Sequence, residues 1–475
     1  MKGSKMVNGR ESSRLFDDLF FPRIFQTFRM SIQPTKLIIT ALALAVICLA
    51  GRIMDLSKTV VATPRSNTAT TEQRIRSRLT EPHPRTNLAS PQKKIRLTEL
   101  DIYIVNPAQL KKYIETFKEQ DDGVGVFDTL WHFSADRFQG AVDSVFAFDL
   151  HGLEDNITGF FRPVGWALRY HTIYCIIFFV IVLSVISIGG GAICRIAALQ
   201  FARGEKPGLT EAIRYSTKRF FSFFTTPLAP FGIIACIGSF ILLLGLMGNI
   251  PSAGELIVGI GMPLALLAGA LIAVIYIGAF VGFNMMFPAV AYDGSDCFDA
   301  ISRSFSYVYA KPWHMLFYTS IAAIYGSICY TFVRYFAFLS LWITRYSMRI
   351  ALWVNDGADK ANKLTAIWPK PEFKDLLGSS GPVPTNQTET VAAFLVYLFL
   401  LVVVGLVVSF IISFYFSANT IIYSLMRGKV DNTPREDIYM PFEEADVEPI
   451  GIERESREES SSPVSEPQPD SSSEQ

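Results

Sequence analysis

Gly208-Leu-Thr-Glu-Ala-Ile-Arg-Tyr-Ser-Thr-Lys-Arg-Phe-Phe-Ser-Phe-Phe224 is one of two versions of a single short passage. The other reads Asp299-Ala-Ile-Ser-Arg-Ser-Phe-Ser-Tyr-Val-Tyr-Ala-Lys-Pro-Trp313. At one constant offset Glu211-Ala-Ile aligns with Asp299-Ala-Ile, Ser216 with Ser304, and Leu228 with Leu316. Each copy separates two long apolar runs, so the unit is a span, a short amphipathic helix and a returning span. Both units enter from the same side, which predicts a parallel repeat about an axis along the membrane normal.

In the first copy Leu209, Ala212, Ile213, Ser216, Phe220 and Phe223 share a helix face, with Arg214 and Lys218 off it. In the second, Ser295 or Asp296 is placed to cap, Asp299 stands in the first turn, and Phe298, Ile301, Phe305 and Val308 form the apolar face. Arg214, Lys218, Arg219, Arg303, Lys311 and Trp313 are therefore the candidates for contact with a membrane surface. The plainer alternative is an interfacial connector between spans.

The whole chain fits a lipid environment. Half of its 475 residues are apolar, 38 are Phe, and only 18% are charged, below the quarter usual for soluble domains. A formal net charge of zero gives no argument for nucleic acid. Cys48, Cys175, Cys194, Cys236, Cys297 and Cys329 all lie in or beside apolar runs, which predicts buried free thiols. No CxxC or Cys/His group has zinc spacing.

Six runs approach or exceed the roughly 20 apolar residues that cross a bilayer: 37–51, 172–194, 226–248, 256–290, 313–333 and 391–425. The first, within a segment 37–54, reads as an uncleaved signal anchor, since no small-x-small cleavage site follows closely. Before it, residues 1–36 are basic and aromatic. Leu15, Phe16, Leu19, Phe20, Ile24, Phe25 and Phe28 suit a surface helix or one packed on the protein. Residues 55–171 form an external linker and small helical domain, 334–390 an external loop with an interfacial helix, and 426–475 a disordered acidic tail. In the external domain Asp101-Ile-Tyr-Ile-Val105 reads as a strand, and Asn106-Pro-Ala-Gln109 as a helix start. Val126 to Leu150 is amphipathic at helical period, and its Trp131, His132, Asp136 and Arg137 read as a surface cluster. Arg195, Arg203, Lys206, Arg214, Lys218 and Arg219 fill the loop after the second run, whereas 249–255 has no cation. That asymmetry puts both ends of the chain in the cytoplasm, with the Lys- and Arg-containing connection 334–374 as the dissenting loop.

Gly278-Ala-Phe-Val-Gly282 and the four-residue series Gly405, Ser409, Ser413, Ser417 are candidates for close helix packing. Arg195, His314 and Arg334 stand at run ends, leaving Ser184, Ser187 and Asn284 as polar groups within. That lowers the case for an ion-coupled carrier. Val258-Gly-Ile-Gly-Met-Pro263 is a candidate for an unwound helix. No HExxH or GxSxG is present, and Gly189-Gly-Gly191 lacks a following GK[ST]. These absences predict no catalytic site, no metal and no cofactor.

Phe287-Pro-Ala-Val-Ala-Tyr-Asp-Gly-Ser-Asp-Cys-Phe-Asp-Ala-Ile-Ser-Arg-Ser-Phe-Ser-Tyr-Val-Tyr-Ala-Lys-Pro-Trp313 resembles a signature of uncharacterised multi-span bacterial envelope proteins. More loosely, its Pro…Gly…Asp-Ala-Ile…Ser…Trp layout is similar to the membrane domain found beside glycerophosphodiester phosphodiesterases. The resemblance covers 172–333 and implies a helical bundle in a bacterial inner membrane. No phosphodiesterase portion is visible, so that activity is not carried over. The expectation is an all-α six-span bundle with a parallel repeat and a small, mainly helical external domain. Its role is that of a non-enzymatic scaffold or accessory protein engaging membrane lipids, other envelope proteins or a second copy; the alternative is a transporter or lipid permease.

Overall fold

The computed structural model describes residues 21–57, 59–62, 98–117, 123–351, 363–378 and 386–440. The tail after 440, most of the basic N-terminal segment and most of the Thr- and Pro-containing linker lie outside them. Every element below belongs to one compact unit that ends at Ile438; of the next unit only Tyr439 and Met440 are described. The fold is all-α. Among the described residues the only β pairing is two isolated bridges, Val60 with Val124 and Ala62 with Thr98.

Among the described residues six helices are long and apolar enough to cross a membrane, as their sequence runs require. They are α2 (Pro34–Met54), α7 (Thr172–Arg203), α10 (Ala229–Met247), α11 (Gly254–Asp293), α13 (Pro312–Ala351) and α15 (Gln387–Val430). The chain is therefore a multi-pass membrane protein. Two shorter helices join α7 to α10, namely α8 (Leu209–Lys218) and α9 (Phe220–Thr225), and α12 (Cys297–Ala310) joins α11 to α13. The bundle end that carries them is here the hinge end. At the far end lie α3 (Glu99–Val105), α4 (Leu110–Phe117), α5 (Val126–Ala147), α6 (Leu150–Tyr170) and α14 (Lys363–Ile367).

α7 is the central pillar, packed by α2, α8, α9, α11 and α15. Its residues 189–199 are buried without interruption, and so are 285–292 of α11 and 416–427 of α15. Burial all round needs small residues where backbones meet. A methyl at Gly190 would sit 2.6 Å from the Phe416 ring, and one at Gly191 would sit 2.5 Å from Ser216 Oγ. The hinge half is thus packed solid. By contrast α10 and the first half of α11 pair with each other and leave their other faces apolar and exposed.

Several expectations change. Residues 101–105 belong to helix α3, not a strand. Thr98 N and Oγ1 both donate to Asp101 Oδ2, at 2.8 and 2.9 Å, a capping box that starts a helix despite β-prone Ile-Tyr-Ile-Val. Burial pushes the Asp101 carboxyl up, with the Thr98 hydrogen bonds opposing it. Asn106 makes no side-chain cap; 107–109 is a single 3-10 turn before α4. α11 stays helical through Val258–Pro263, because Pro263 and Pro288 are absorbed within one helix. Of the two readings of the N-terminal segment, packing on the protein holds for its described part: α1 (Gln26–Ser31), with the turn Phe21–Phe25 before it, lies against α13 and α15. Phe28 meets the rings of Phe332 and Phe410, and Tyr325 OH donates to Phe25 O at 3.1 Å. Of the thiols, Cys194 and Cys329 are buried, Cys48, Cys175 and Cys297 half-buried, and Cys236 exposed on α10; all are free. Trp131, His132, Asp136 and Arg137 are not gathered into one group: His132 turns to Asp128 (3.6 Å) and Arg137 to the Phe133 ring.

Candidate functional site

The polar groups converge where α11 ends. A helix leaves its last carbonyls without partners and its C-terminus partly negative, so cations and hydroxyls belong there. α7, α8 and the residue that follows α8 supply them. Tyr215 OH donates to Val290 O at 3.0 Å, Arg195 Nη1 to Ala291 O at 3.3 Å, and Arg219 Nη1 to Gly294 O. The Arg195 guanidinium also lies 4.4 Å over the Tyr215 ring. Gly294, at φ 62°, lets the chain turn directly into α12.

On the other side of that corner sits Asp293, its side chain 5% exposed. Arg303 Nη1 of α12 lies 3.1 Å from Oδ2, and Tyr423 OH of α15 donates to the same oxygen. Arg427 Nε of α15 lies 3.1 Å from Oδ1, an ion pair in distance though off-axis for a hydrogen bond. Arg303 reaches on to Asp299 at 3.1 Å, and Tyr307 OH donates to Asp431 Oδ2 at 2.5 Å. Burial alone would lower the Arg303 pKa; Asp293 and Asp299 outweigh it and push it up. Tyr307 is pushed up by burial first and by Asp431 second.

Residues 426–438, expected as the start of a disordered tail, are instead the last turn of α15 and a segment that closes over this corner, because their carbonyls meet the hydroxyl and arginines there. Tyr292 OH donates to Arg435 O, Arg203 Nε to Glu436 O at 3.5 Å, and Arg427 Nη1 to Asp437 O at 2.6 Å. Ile438 is buried at the end of that strap. Deeper in, Lys36 is fully buried between α2, α7 and α15, and its Nζ donates to Gln200 Oε1 (3.2 Å) and Ser417 Oγ (3.4 Å). Chemically this is a clamp of compensated charges holding α7, α8, α11, α12 and α15 together. Among the described residues no three His, Cys, Asp or Glu side chains converge as a metal site requires.

The membrane-surface candidates divide. Arg214 and Lys218 are exposed on α8, and Trp313 is 79% exposed at the start of α13. Arg219 and Arg303 are instead tied into the corner, and Lys311 Nζ donates to Lys429 O at 2.8 Å, so these three are turned to the protein. Gly278 and Gly282 lie against Phe305, Ser304 and Val308 of α12 in the same chain. Ser413 Oγ donates to Ser31 O at 2.9 Å, Ser417 accepts from Lys36, and Ser409 is buried. Gly405 has open space around it, so the stripe does not seat a neighbour there.

Arg195 is not at a span end but buried in the pillar, and Lys36, the last residue of the basic segment 1–36, is interior. Asp293 and Arg427 were not singled out in the sequence. The available signal was that the apolar runs ending near 290 and 425 stop beside one acid and one arginine. No protein family, curated protein or solved structure was found to match this chain.

Proposed function

We propose that this protein is a non-enzymatic scaffold or accessory protein of a bacterial cytoplasmic membrane, engaging lipid or envelope partners. The observation that carries this reading is the division of the surface. The buried charges at the hinge end are committed to one another, whereas only 6% of the most apolar stretch of α10 and 11% of that of α11 is covered by the chain itself. Surface of that kind needs lipid or a partner helix.

In this reading both ends of the chain face the cytoplasm and the unit α7–α8–α10 repeats as α11–α12–α13. Ala212 and Ser216 of α8 are buried, as are Ala300 and Ser304 of α12, so the aligned positions share an environment. The dissenting basic loop is weakened as counter-evidence. Arg334 is occupied by Phe373 O (2.9 Å) and Lys374 O (2.8 Å), and Arg345 by Trp368 O (3.2 Å). The test is purification in a mild detergent with cross-linking in native membranes. Retained lipid or a defined cross-linked partner is expected; a bare monomer each time would remove the support.

A second reading, a lipid permease, is favoured by one feature. α11 and α13 each pack on α15 but barely on one another, and Tyr415 OH donates to Asn284 Oδ1 at 2.5 Å beside α11. A fluorescent-lipid transfer assay in proteoliposomes, with Asn284→Leu as the control, separates the two: unassisted lipid movement at the protein-free rate eliminates the permease.

A further inference from the structure

We infer that α6 is a lipid-contacting interfacial helix that lies in the far leaflet of the membrane crossed by α7. The argument starts from its three-sided pattern. At 100° per residue, Gly159, Pro163, Trp166 and Ala167 fall on one side and are buried against α5 and the small domain. Leu150, Ile157, Phe161, Val164 and Leu168 fall on a second side and are exposed, Leu150 at 81% and Phe161 at 58%. Glu154, Asp155, Thr158, Arg162 and Arg169 make up the third. A soluble helix has no reason to keep an apolar stripe of that length in water beside a face already buried; an interfacial helix does.

Continuity with the span names the occupant. α6 passes into α7 through His171 alone, and the outward residues that follow, Ile173, Ile176, Ile177 and Val180, are exposed on a helix that crosses the bilayer. The hairpin is also held across the bundle rather than along it. α5 is fastened to α2 and α7 at Phe127, which lies against Gly51 and meets Phe178, and to α13 at Gln139, which accepts from Tyr330 OH at 3.2 Å. Its tip carries Phe148, 86% exposed in the left-handed region at φ 53°, next to Leu150. Arg162 and Arg169 stand on the polar side, where phospholipid phosphates would meet them. With Glu154 and Asp155 in the same helix the surface fits phospholipid generally, with no demand for anionic lipid.

The inference needs α7 to span a bilayer and is independent of the scaffold role. It is tested with single cysteines at Phe161, Val164 and Leu168 on the stripe, and at Thr158 and Arg162 on the polar side. The full chain is placed in phosphatidylcholine nanodiscs at one copy per disc, and the extra adduct with a water-soluble maleimide is counted by mass. The polar-side cysteines should react at once, and the stripe cysteines at least tenfold more slowly until the disc is dissolved. Size-exclusion profiles matching the unsubstituted protein exclude misfolding, and Thr158→Cys serves as the positive control. Equal rates on the two sides overturn the inference. Protection present with two copies per disc but lost with one would assign the stripe to a second copy and likewise overturn it.

Discussion

Replacing Asp293 by Ala is the sharpest perturbation of the hinge-end clamp. The carboxylate meets Arg427 and Arg303 at 3.1 Å each and accepts from Tyr423. At an effective dielectric of ~20 a pair of unit charges at such range is worth about 4 kcal/mol before desolvation. Removing one member of a buried pair costs about 3–5 kcal/mol, because the other is left uncompensated. The expected loss lies near the lower end of that range. Arg303 keeps Asp299, and Arg427 keeps Asp437 at 3.3 Å, though Asp437 is 64% exposed. Asp299→Ala is the internal comparison. That pair is four residues apart on one helix, with side chains 38% and 49% exposed, and pairs of this kind are worth about 0.3–0.5 kcal/mol. Unfolding by graded SDS in bicelles, followed by tryptophan fluorescence, measures both. Asp293→Leu combined with Arg427→Met should recover most of the loss, since apolar substitutes for a buried pair are often tolerated. If Asp293→Ala and Asp299→Ala proved equally mild, the corner would be a solvated surface and the clamp would not exist.

Three further outcomes follow from the same structure. Gly190→Ala drives a methyl to 2.6 Å from the Phe416 ring and should cost about 1–3 kcal/mol by the same SDS titration, whereas Gly405→Ala meets open space and should be neutral or gain at most about 1 kcal/mol. Tyr307 has its pKa raised on folding, so its contribution is fully present below the ordinary phenol value of about 10 and is lost as pH climbs beyond it. The stability difference between the native chain and Tyr307→Phe should accordingly hold constant from pH 7 to about 10 and then shrink, as read by thermal scans in detergent. Asp55 accepts from Phe127 N (2.9 Å), Asp128 N (3.0 Å) and Tyr174 OH (2.9 Å), so Asp55→Ala should cost about 0.5–2 kcal/mol and speed amide exchange in the first turn of α5.

The spans were legible because nothing but a bilayer accommodates uncharged runs of that length, and α5 because its apolar residues keep the helical period. α6 was missed because two adjoining apolar faces blur a single-stripe pattern, and because Pro163 reads as a breaker although the helix continues through it. α3 was misread for a different reason. Four β-prone side chains outvoted the Thr98–Asp101 cap, yet Leu100 and Ile102 had to reach the same core as Leu110 and Trp166, and a helix does that. The clamp escaped altogether, since Tyr423 lies 130 positions from Asp293 and Asp431 lies 124 from Tyr307, distances at which no periodicity links two residues.

That failure has a physical source in helix length. α11 and α15 run to 40 and 44 residues, well beyond the roughly 20 that cross the hydrocarbon. Counted from the apolar run alone, Asp293 and Arg427 fall in the water beyond the span. The extra turns do not enter water, however, because α12 folds back against them, α7 fills the space between, and α8, packed on α7, reaches α11 through Tyr215. A residue at the end of one helix is thereby placed in the interior of five. Charge is tolerated there only because each helix end supplies the partner that another lacks: carbonyls at the end of α11 for Arg195 of α7 and for Arg219 just after α8, and its last carboxylate for arginines of α12 and α15. The short hinge helices are consequently the reason the polar core exists, and the repeated passage that opens the sequence is read more usefully as its wall than as a surface feature.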